Sequence, residues 1–285
     1  MKVITVATEH NGYIYALEQS VQRFGYELII LGMNMKWKGF GWKLNMILNF
    51  IDKLPKKEVF IVVDAYDVIF LRPSVDVLDT FKKMNVKFLC GAVRQEDGII
   101  GILQEKEFGK VFTSDTPYNS LCAGTWMTTV EYALYLFENI DIKNDIDDQK
   151  LLTDLFYEGK DITPDVHFNI FATLFPNIYT RQIKKDDDIK IKNGMLFSGV
   201  TKTYPFVLHG VANANLQPLL IKLCFENIED LTPFSYHISK TLYHLKTVVK
   251  HSDEIRNVLY LILFVIICIV FFSFTFHNKT KIVYI

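Results

Sequence analysis

A chain of 285 residues, half of them hydrophobic and 14% aromatic, is long enough for one large domain or two modest ones with a substantial core. Its 31 lysines and arginines balance 32 acids to a net charge of −1 without any dense basic run, which excludes the electrostatic footprint of a nucleic-acid binder. The four cysteines (Cys90, Cys122, Cys224 and Cys268) have no metal-type spacing and read as free thiols in a reducing compartment.

The N-terminal half alternates strand and helix. Val3 to Ala7 is a short apolar run; no charged segment leads into a long apolar stretch, so it reads as a first strand and not as a signal peptide. A helical pattern follows from Tyr13 to Phe24, then a strand from Glu27 to Leu31 that Gly32 ends. Lys43 to Ile51 reads as a helix with Leu44, Ile47, Leu48 and Ile51 on one face. A strand over 58–63, a helix from a capping Ser74 to Met84 and a strand from Lys87 to Ala92 complete a βαβ pattern that predicts a largely parallel sheet. Further on, Cys122 to Thr129 reads as a strand, Val130 to Glu138 as a helix, and Asp147-Asp148-Gln149 as the start of a helix through Phe156. Thr203 to Leu208 is a strand stopped by His209-Gly210, and Asp186-Asp187-Asp188, set among lysines, reads as an exposed turn.

Residues 258–276, VLYLILFVIICIVFFSFTF, carry no charge and as a helix would span roughly 28 Å, the hydrocarbon thickness of a bilayer. The sequence therefore predicts a body at 1–226, an amphipathic connector at 227–256, a transmembrane helix at 257–277 and a short tail at 278–285. With no leader, that is a single-pass, tail-anchored membrane protein with its body in the cytosol. Lys246, Lys250 and Arg256 before the span, against Lys279 and Lys281 after it, agree weakly.

The stretch EVFIVVDAYDVIFL, residues 58–71, places Asp64 and Asp67 inside an apolar run. A carboxylate in a core is costly unless it is paired or binds a metal. Side chains alternate along a strand, so acids at i and i+3 converge only where the strand ends and a turn begins. In open α/β sheets ligands bind at such carboxyl ends. Two carboxylates there suit Mg²⁺ or Mn²⁺, although D-x-x-D also serves as a cap or turn. His209 ends another apolar strand, and Gly210 after it permits close backbone approach. A histidine in that place is commonly structural; three candidate ligands at two strand ends are more informative.

These landmarks, taken in order, resemble the glycosyltransferase domain of the procollagen galactosyltransferase and lysyl hydroxylase (PLOD-like) type, including relatives in large DNA viruses. The resemblance covers roughly residues 2–224. It rests on VITVAT (3–8), LGMNMKWKG (31–39), GWKLNMI (41–47), VVDAYDVIF (62–70), IDDQKLLTDLFY (146–157), PDVHFNIF (164–171) and VLHG (207–210). It implies an α/β, GT-A-like nucleotide-diphospho-sugar transferase fold with a Rossmann-like mixed sheet.

It further implies that Asp64, Asp67 and His209 hold Mn²⁺, with Mg²⁺ as the alternative, and that the metal holds the diphosphate of a UDP-sugar donor. Tyr66 would meet the uracil or ribose, Thr8 would line the nucleotide site, and Trp37, Lys43 and Gly210 would lie near it. Asp147 and Asp148 would face the sugar or acceptor, one of them as catalytic base; a helix-start acid that favours the dipole is the other reading of Asp147.

The chain departs from the family at Cys122-Ala123, where Asn and Ser are usual, and after His209-Gly210, where Val211 to Asn215 carry no lysine to neutralise phosphate. The expected function is metal-dependent transfer of galactose or glucose from a UDP-sugar to an acceptor hydroxyl on a protein or glycan, hydroxylysine of a collagen-like protein among them. The alternative is an inactive nucleotide-sugar-binding or membrane-assembly protein that keeps the fold. A homodimer is compatible with either.

Overall fold

A computed structural model describes residues 1–95, 105, 111–177, 180–211 and 214–233, all within a compact unit that runs from Met1 to Pro233. The elements in chain order begin β1 (Lys2–Val6), α1 (Ile14–Arg23), β2 (Glu27–Leu31), α2 (Phe40–Ile51), β3 (Val59–Val63), β4 (Val68–Phe70), α3 (Ser74–Met84) and β5 (Phe88–Val93). They continue with β6 (Ser120–Thr129), α4 (Val130–Phe137), α5 (Asp148–Tyr157), β7 (Ile162–Asp165), β8 (Phe171–Leu174), a 3₁₀ turn (Lys185–Asp187), β9 (Ile189–Lys192), β10 (Met195–Ser198), β11 (Val207–Gly210) and α6 (Gln217–Lys222).

Six strands form the central sheet in the order β2-β1-β3-β6-β5-β7. The βαβ pattern gives the parallel pairs β1 with β2 and β1 with β3, as the alternation of elements predicts. The sheet is nevertheless mixed, because β6 runs antiparallel to both β3 and β5. Alternate residues of β3 serve two cores. Phe60 and Val62 pack with Trp42, Leu44, Ile47 and Ile51 of α2 and with residues of α4 and α5. Ile61 and Val63 pack with Leu17 and Val21 of α1, with Val77 and Phe81 of α3, and with Val68, Phe171 and Val207 of a second sheet. That second sheet has the order β4-β11-β8, with β11 antiparallel to β4 and parallel to β8.

The structure corrects two readings of the second half. The strand around 203–208 is β11, and it incorporates His209 and Gly210 instead of stopping before them, because both continue the ladder with Thr173 and Leu174. The acidic turn is not wholly exposed: Asp187 is 2% exposed, its carboxylate 3.7 Å from Arg94 and accepting from the Tyr118 hydroxyl at 3.4 Å. The lysine-rich residues after it form a β9–β10 hairpin turned by Asn193 and Gly194, both at positive φ.

The expected membrane-anchored localisation is also corrected. Among the described residues no helix is long and apolar enough to cross a membrane. The longest of them, α2, has 12 residues, about 18 Å of helix against the roughly 30 Å of a bilayer core. The segment 258–276 on which that expectation stood lies outside the described residues, as does the greater part of the proposed connector.

Candidate active site

Asp64 follows β3 directly, and its backbone N–H still donates to Gly124 of β6 at 2.8 Å. The two-residue period of the strand gives Asp64 the parity of Phe60 and Val62, which is the α2 side of the sheet. After a turn through Ala65 and Tyr66 the chain leaves the central sheet and enters β4 of the second one. Asp67 stands at that departure. Pairing of β11 with β4 sets His209 opposite Val68, and the Gly210 N–H donates to the Asp67 carbonyl at 2.8 Å. The result brings together Asp64, Asp67 and His209, with one ligand atom from each lying within 4.8 Å of the others. His209 Nε2 is 3.3 Å from Asp67 Oδ1 and 3.8 Å from Asp64 Oδ2.

This donor set passes a physical test for a divalent cation. Asp67 Oδ1 is buried without a well-formed hydrogen bond, its near neighbour being His209 Nε2 at 3.3 Å, a poorly filled state for a carboxylate oxygen that a bound cation would relieve. Two carboxylates and an imidazole are hard and borderline donors respectively, a combination that Mn²⁺ accepts and Mg²⁺ accepts less well. Burial disfavours the charged imidazole of His209, yet the adjacent Asp67 carboxylate and then Cys122 together outweigh it and hold the pKa well above the ordinary histidine value.

Lys43 links this triad to the helix that carries Asp148. Its Nζ is 2.9 Å from Asp64 Oδ1 and 2.7 Å from Asp148 Oδ2. Lys43 occupies the buried face of α2 one and two turns before Ile47 and Ile51, where an apolar residue would ordinarily stand. Burial alone would lower its pKa, but the Asp148 and Asp64 carboxylates together hold it above that of a free lysine, so the ammonium is retained. For Asp64 burial pushes upward, and the charges of Lys43 and then His209 pull the carboxyl below its usual range. Asp148 comes out the other way: burial is the largest influence and lifts its pKa despite Lys43.

Asp147 and Asp148 are adjacent but do different things. Asp147 is the N-cap of α5, its carboxylate accepting from the Lys150 N–H at 2.9 Å, whereas Asp148 is turned inward to Lys43. The loop before them is seated on the start of α2: Asn45 Nδ2 donates to the Ile142 carbonyl at 2.7 Å, and a Cβ at Gly39 or Gly41 would collide with the carbonyls of Asn144 or Lys143. Thr8 and Tyr66 also meet. The Thr8 N–H donates to the Tyr66 hydroxyl at 3.2 Å, that hydroxyl donates to the Glu9 carbonyl at 3.2 Å, and the Tyr66 carbonyl accepts from the Tyr13 N–H at 2.7 Å. Trp37 is 41% exposed and lies edge-on to Trp42 and Phe40, whose ring lies 5.4 Å from Lys43 Nζ.

Two residues were missed in the sequence reading. Gln149 accepts from the Ala123 N–H and donates to the Leu121 carbonyl, both at 2.9 Å, fastening the first turn of α5 to β6. Its place after two acids at a helix start was the available signal. Gly124 sits beneath the triad; a Cβ there would collide with His209 Cε1 and come within 2.5 Å of Asp64 Oδ2. Nothing local in the sequence marks that glycine, since the contact is made by β3 and β11.

A family model described as the PLOD GT domain matches residues 1–223. The chain belongs to that family. It is thereby a glycosyltransferase domain of PLOD type. Among similar proteins, a procollagen-lysine,2-oxoglutarate 5-dioxygenase of Drosophila melanogaster is 25% identical over 74% of this chain and 30% of its own length. A multifunctional procollagen lysine hydroxylase and glycosyltransferase of Caenorhabditis elegans is 24% identical over 73% of this chain and 30% of its own. Protein R699 of Acanthamoeba polyphaga mimivirus is 22% identical over 73% of this chain and 45% of its own. The PLOD-type domain thus spans well under two thirds of these relatives. A solved galactosyltransferase in complex with donor and acceptor sugar analogues is 12% identical, with a TM-score of 0.40 over 83% of this chain and 99% of that one. So loose a likeness carries no argument; the fold rests on the strand order and pairing above.

Proposed function

We propose that the domain transfers a hexose, galactose or glucose, from a UDP-sugar to an acceptor hydroxyl in a Mn²⁺-dependent reaction, a hydroxylysine side chain of a collagen-like protein being the acceptor that its relatives suggest. The observation that carries this reading is the meeting of Asp64, Asp67 and His209 beside the Lys43–Asp148 pair. Asp64, Asp67 and His209 would hold the cation, which when bound supplies Lewis-acid stabilisation to a departing diphosphate.

The protein's own groups divide the remaining work. Transfer breaks the bond between the anomeric carbon and the diphosphate, joins that carbon to the acceptor oxygen, and releases the acceptor proton. Asp148 is the group proposed to orient the donor sugar or take that proton: a carboxyl with a raised pKa is a better base than an ordinary one. Lys43 keeps Asp148 and Asp64 in register, with both ion pairs under 3 Å. Asp147 is assigned to capping α5. Tyr66, tied to Thr8 just after β1, and Trp37 are proposed to receive the nucleoside, by a ring face and by an exposed aromatic edge. Gly210 serves the site through its backbone bond to Asp67. The unit proposed to perform this is the body at 1–226.

The test is release of UDP from UDP-galactose or UDP-glucose by the full chain with Mn²⁺ present. The expected result is metal-dependent release that Asp64→Ala abolishes. Absence of release from every UDP-hexose, in a protein that is folded and metal-loaded, overturns the reading in favour of a fold kept for binding alone.

A further inference from the structure

Cys122, in the central strand β6, lies against the proposed metal ligand His209. Its Sγ is 3.5 Å from His209 Nδ1, the ring nitrogen opposite the one that faces Asp64 and Asp67. Both side chains are buried, Cys122 at 7% and His209 at 2% exposure. The backbone that carries the thiol is held on every side. Gln149 bonds the residues flanking it, Leu121 through its carbonyl and Ala123 through its N–H, while the Cys122 carbonyl accepts from the Cys90 thiol at 3.2 Å. A register shift in the β5–β6 ladder between Cys90 and Gly91 brings Cys122 opposite Gly91, so the irregularity coincides with the cysteine. Gly124 lets the imidazole pack directly on the β6 backbone, which limits the tilt of the ring.

We infer that Cys122 is a positioning residue of the metal centre: its sulfur accepts the Nδ1–H of His209 and thereby fixes both the tautomer and the orientation that turn Nε2 toward Asp64 and Asp67. The inference rests on the metal-centre reading above. An imidazole that gives Nε2 to a cation is neutral and carries its proton on Nδ1, so that N–H needs an acceptor inside the protein. Metal-bound histidines meet this need with a carboxylate, a backbone carbonyl or water, and loss of that partner costs 10- to 100-fold in metal affinity. Among the described contacts of His209 Nδ1 the partner is a thiol. Sulfur is a weak acceptor, but here it is a buried one on a backbone that cannot swing away. The thiol thus supplies the centre with an orienting partner.

Binding of Mn²⁺ to the full chain, measured by titration calorimetry, tests this alongside Cys122→Ala and Cys122→Ser, with thermal unfolding as the check on fold. Cys122→Ala should weaken Mn²⁺ binding about 10- to 100-fold with the fold retained, while Cys122→Ser, which keeps an acceptor oxygen, should restore binding to within about tenfold of the parent. Equal Mn²⁺ affinity in the parent and Cys122→Ala overturns the inference and leaves the metal centre standing. A folded parent that takes up no Mn²⁺ overturns both.

A readout on the unsubstituted protein removes dependence on the variants' folding. With diamagnetic Mg²⁺ bound, long-range ¹H–¹⁵N spectra should show the His209 proton on Nδ1, in slow exchange with solvent. A proton on Nε2, or rapid exchange at Nδ1, contradicts the arrangement.

Discussion

Asp165 and Asp67 are both acids withdrawn from solvent, and the chain treats them in opposite ways. Asp165, 1% exposed at the end of β7, spends its two oxygens on the Asn169 N–H at 2.9 Å, the Asn169 amide at 3.2 Å, and the N–H groups of Ile170 and Phe171 at 2.7 and 2.8 Å. Those bonds close the turn between β7 and β8 within six residues of sequence. Asp67, between β3 and β4, leaves Oδ1 buried without a well-formed hydrogen bond, facing an imidazole delivered by β11. Burial of a carboxylate is therefore no sign of a site by itself. The sign is a carboxylate whose acceptor capacity the fold declines to fill, because leaving it unfilled is costly unless something else fills it.

The sharpest way to break this comparison is to substitute each acid and read activity and stability separately. Asp67→Asn should lower UDP release about 10³-fold, as loss of a principal electrostatic contact to the reacting charge does, while the unfolding midpoint changes little. A variant that keeps more than a tenth of parental turnover would remove Asp67 from the centre. Asp165→Ala should do the reverse. It strands the buried N–H groups of Ile170 and Phe171 and unpairs the half-buried one of Asn169, so it should cost about 3 kcal/mol or more in chemical denaturation, with Mn²⁺ affinity within a few-fold of the parent.

Next in size is the effect of the ion itself. Mn²⁺ at 100 times its dissociation constant should stabilise the parent by about 2.7 kcal/mol, and Asp67→Asn should lose that gain whereas Asp165→Ala keeps it. A gain that survives in Asp67→Asn would place the ion elsewhere.

The smallest effect is on pH. At the proposed metal centre protons and the cation would compete for His209 Nε2, and the imidazole titrates well above its ordinary value, burial opposing and Asp67 with Cys122 prevailing. Mn²⁺ affinity should accordingly fall about tenfold, or about 1.4 kcal/mol, for each unit that pH drops below the His209 pKa, and still be rising with pH above 6.5. The sign follows from the proton leaving before the ion binds. Calorimetric affinities between pH 6 and 8 check it; a plateau that begins below 6.5 contradicts it.

Much of the site was legible because its parts announce themselves locally. An apolar run that stops at Asp64, a histidine followed by glycine after another apolar run, and two acids opening a helix each violate the pattern around them, and all three fall in one neighbourhood. Lys43 carried a weaker mark of the same kind, a cation on the face of α2 that Ile47 and Ile51 bury. Other features had no such mark. Asp187 looks solvated from its lysine-rich surroundings, and only the approach of Arg94 and Tyr118 makes it a buried acid. Gly124 looks like any strand glycine until β11 lays the His209 ring across it.

The sequence by itself determined the alternation of elements, the positions of the candidate ligands along the chain and the family to which the chain belongs, since periodicity, turn residues and charge placement are properties of neighbours in the chain. Only the tertiary structure decided that β6 runs antiparallel through the centre of the sheet, that β4 leaves for a second sheet with β11, and that Lys43 and Cys122 reach Asp64 and His209. Those outcomes depend on which strands pair and in what register, and on side chains that lie far apart in sequence meeting on one face. Such contacts are fixed by the packing of the whole core and leave no trace in any short stretch of residues.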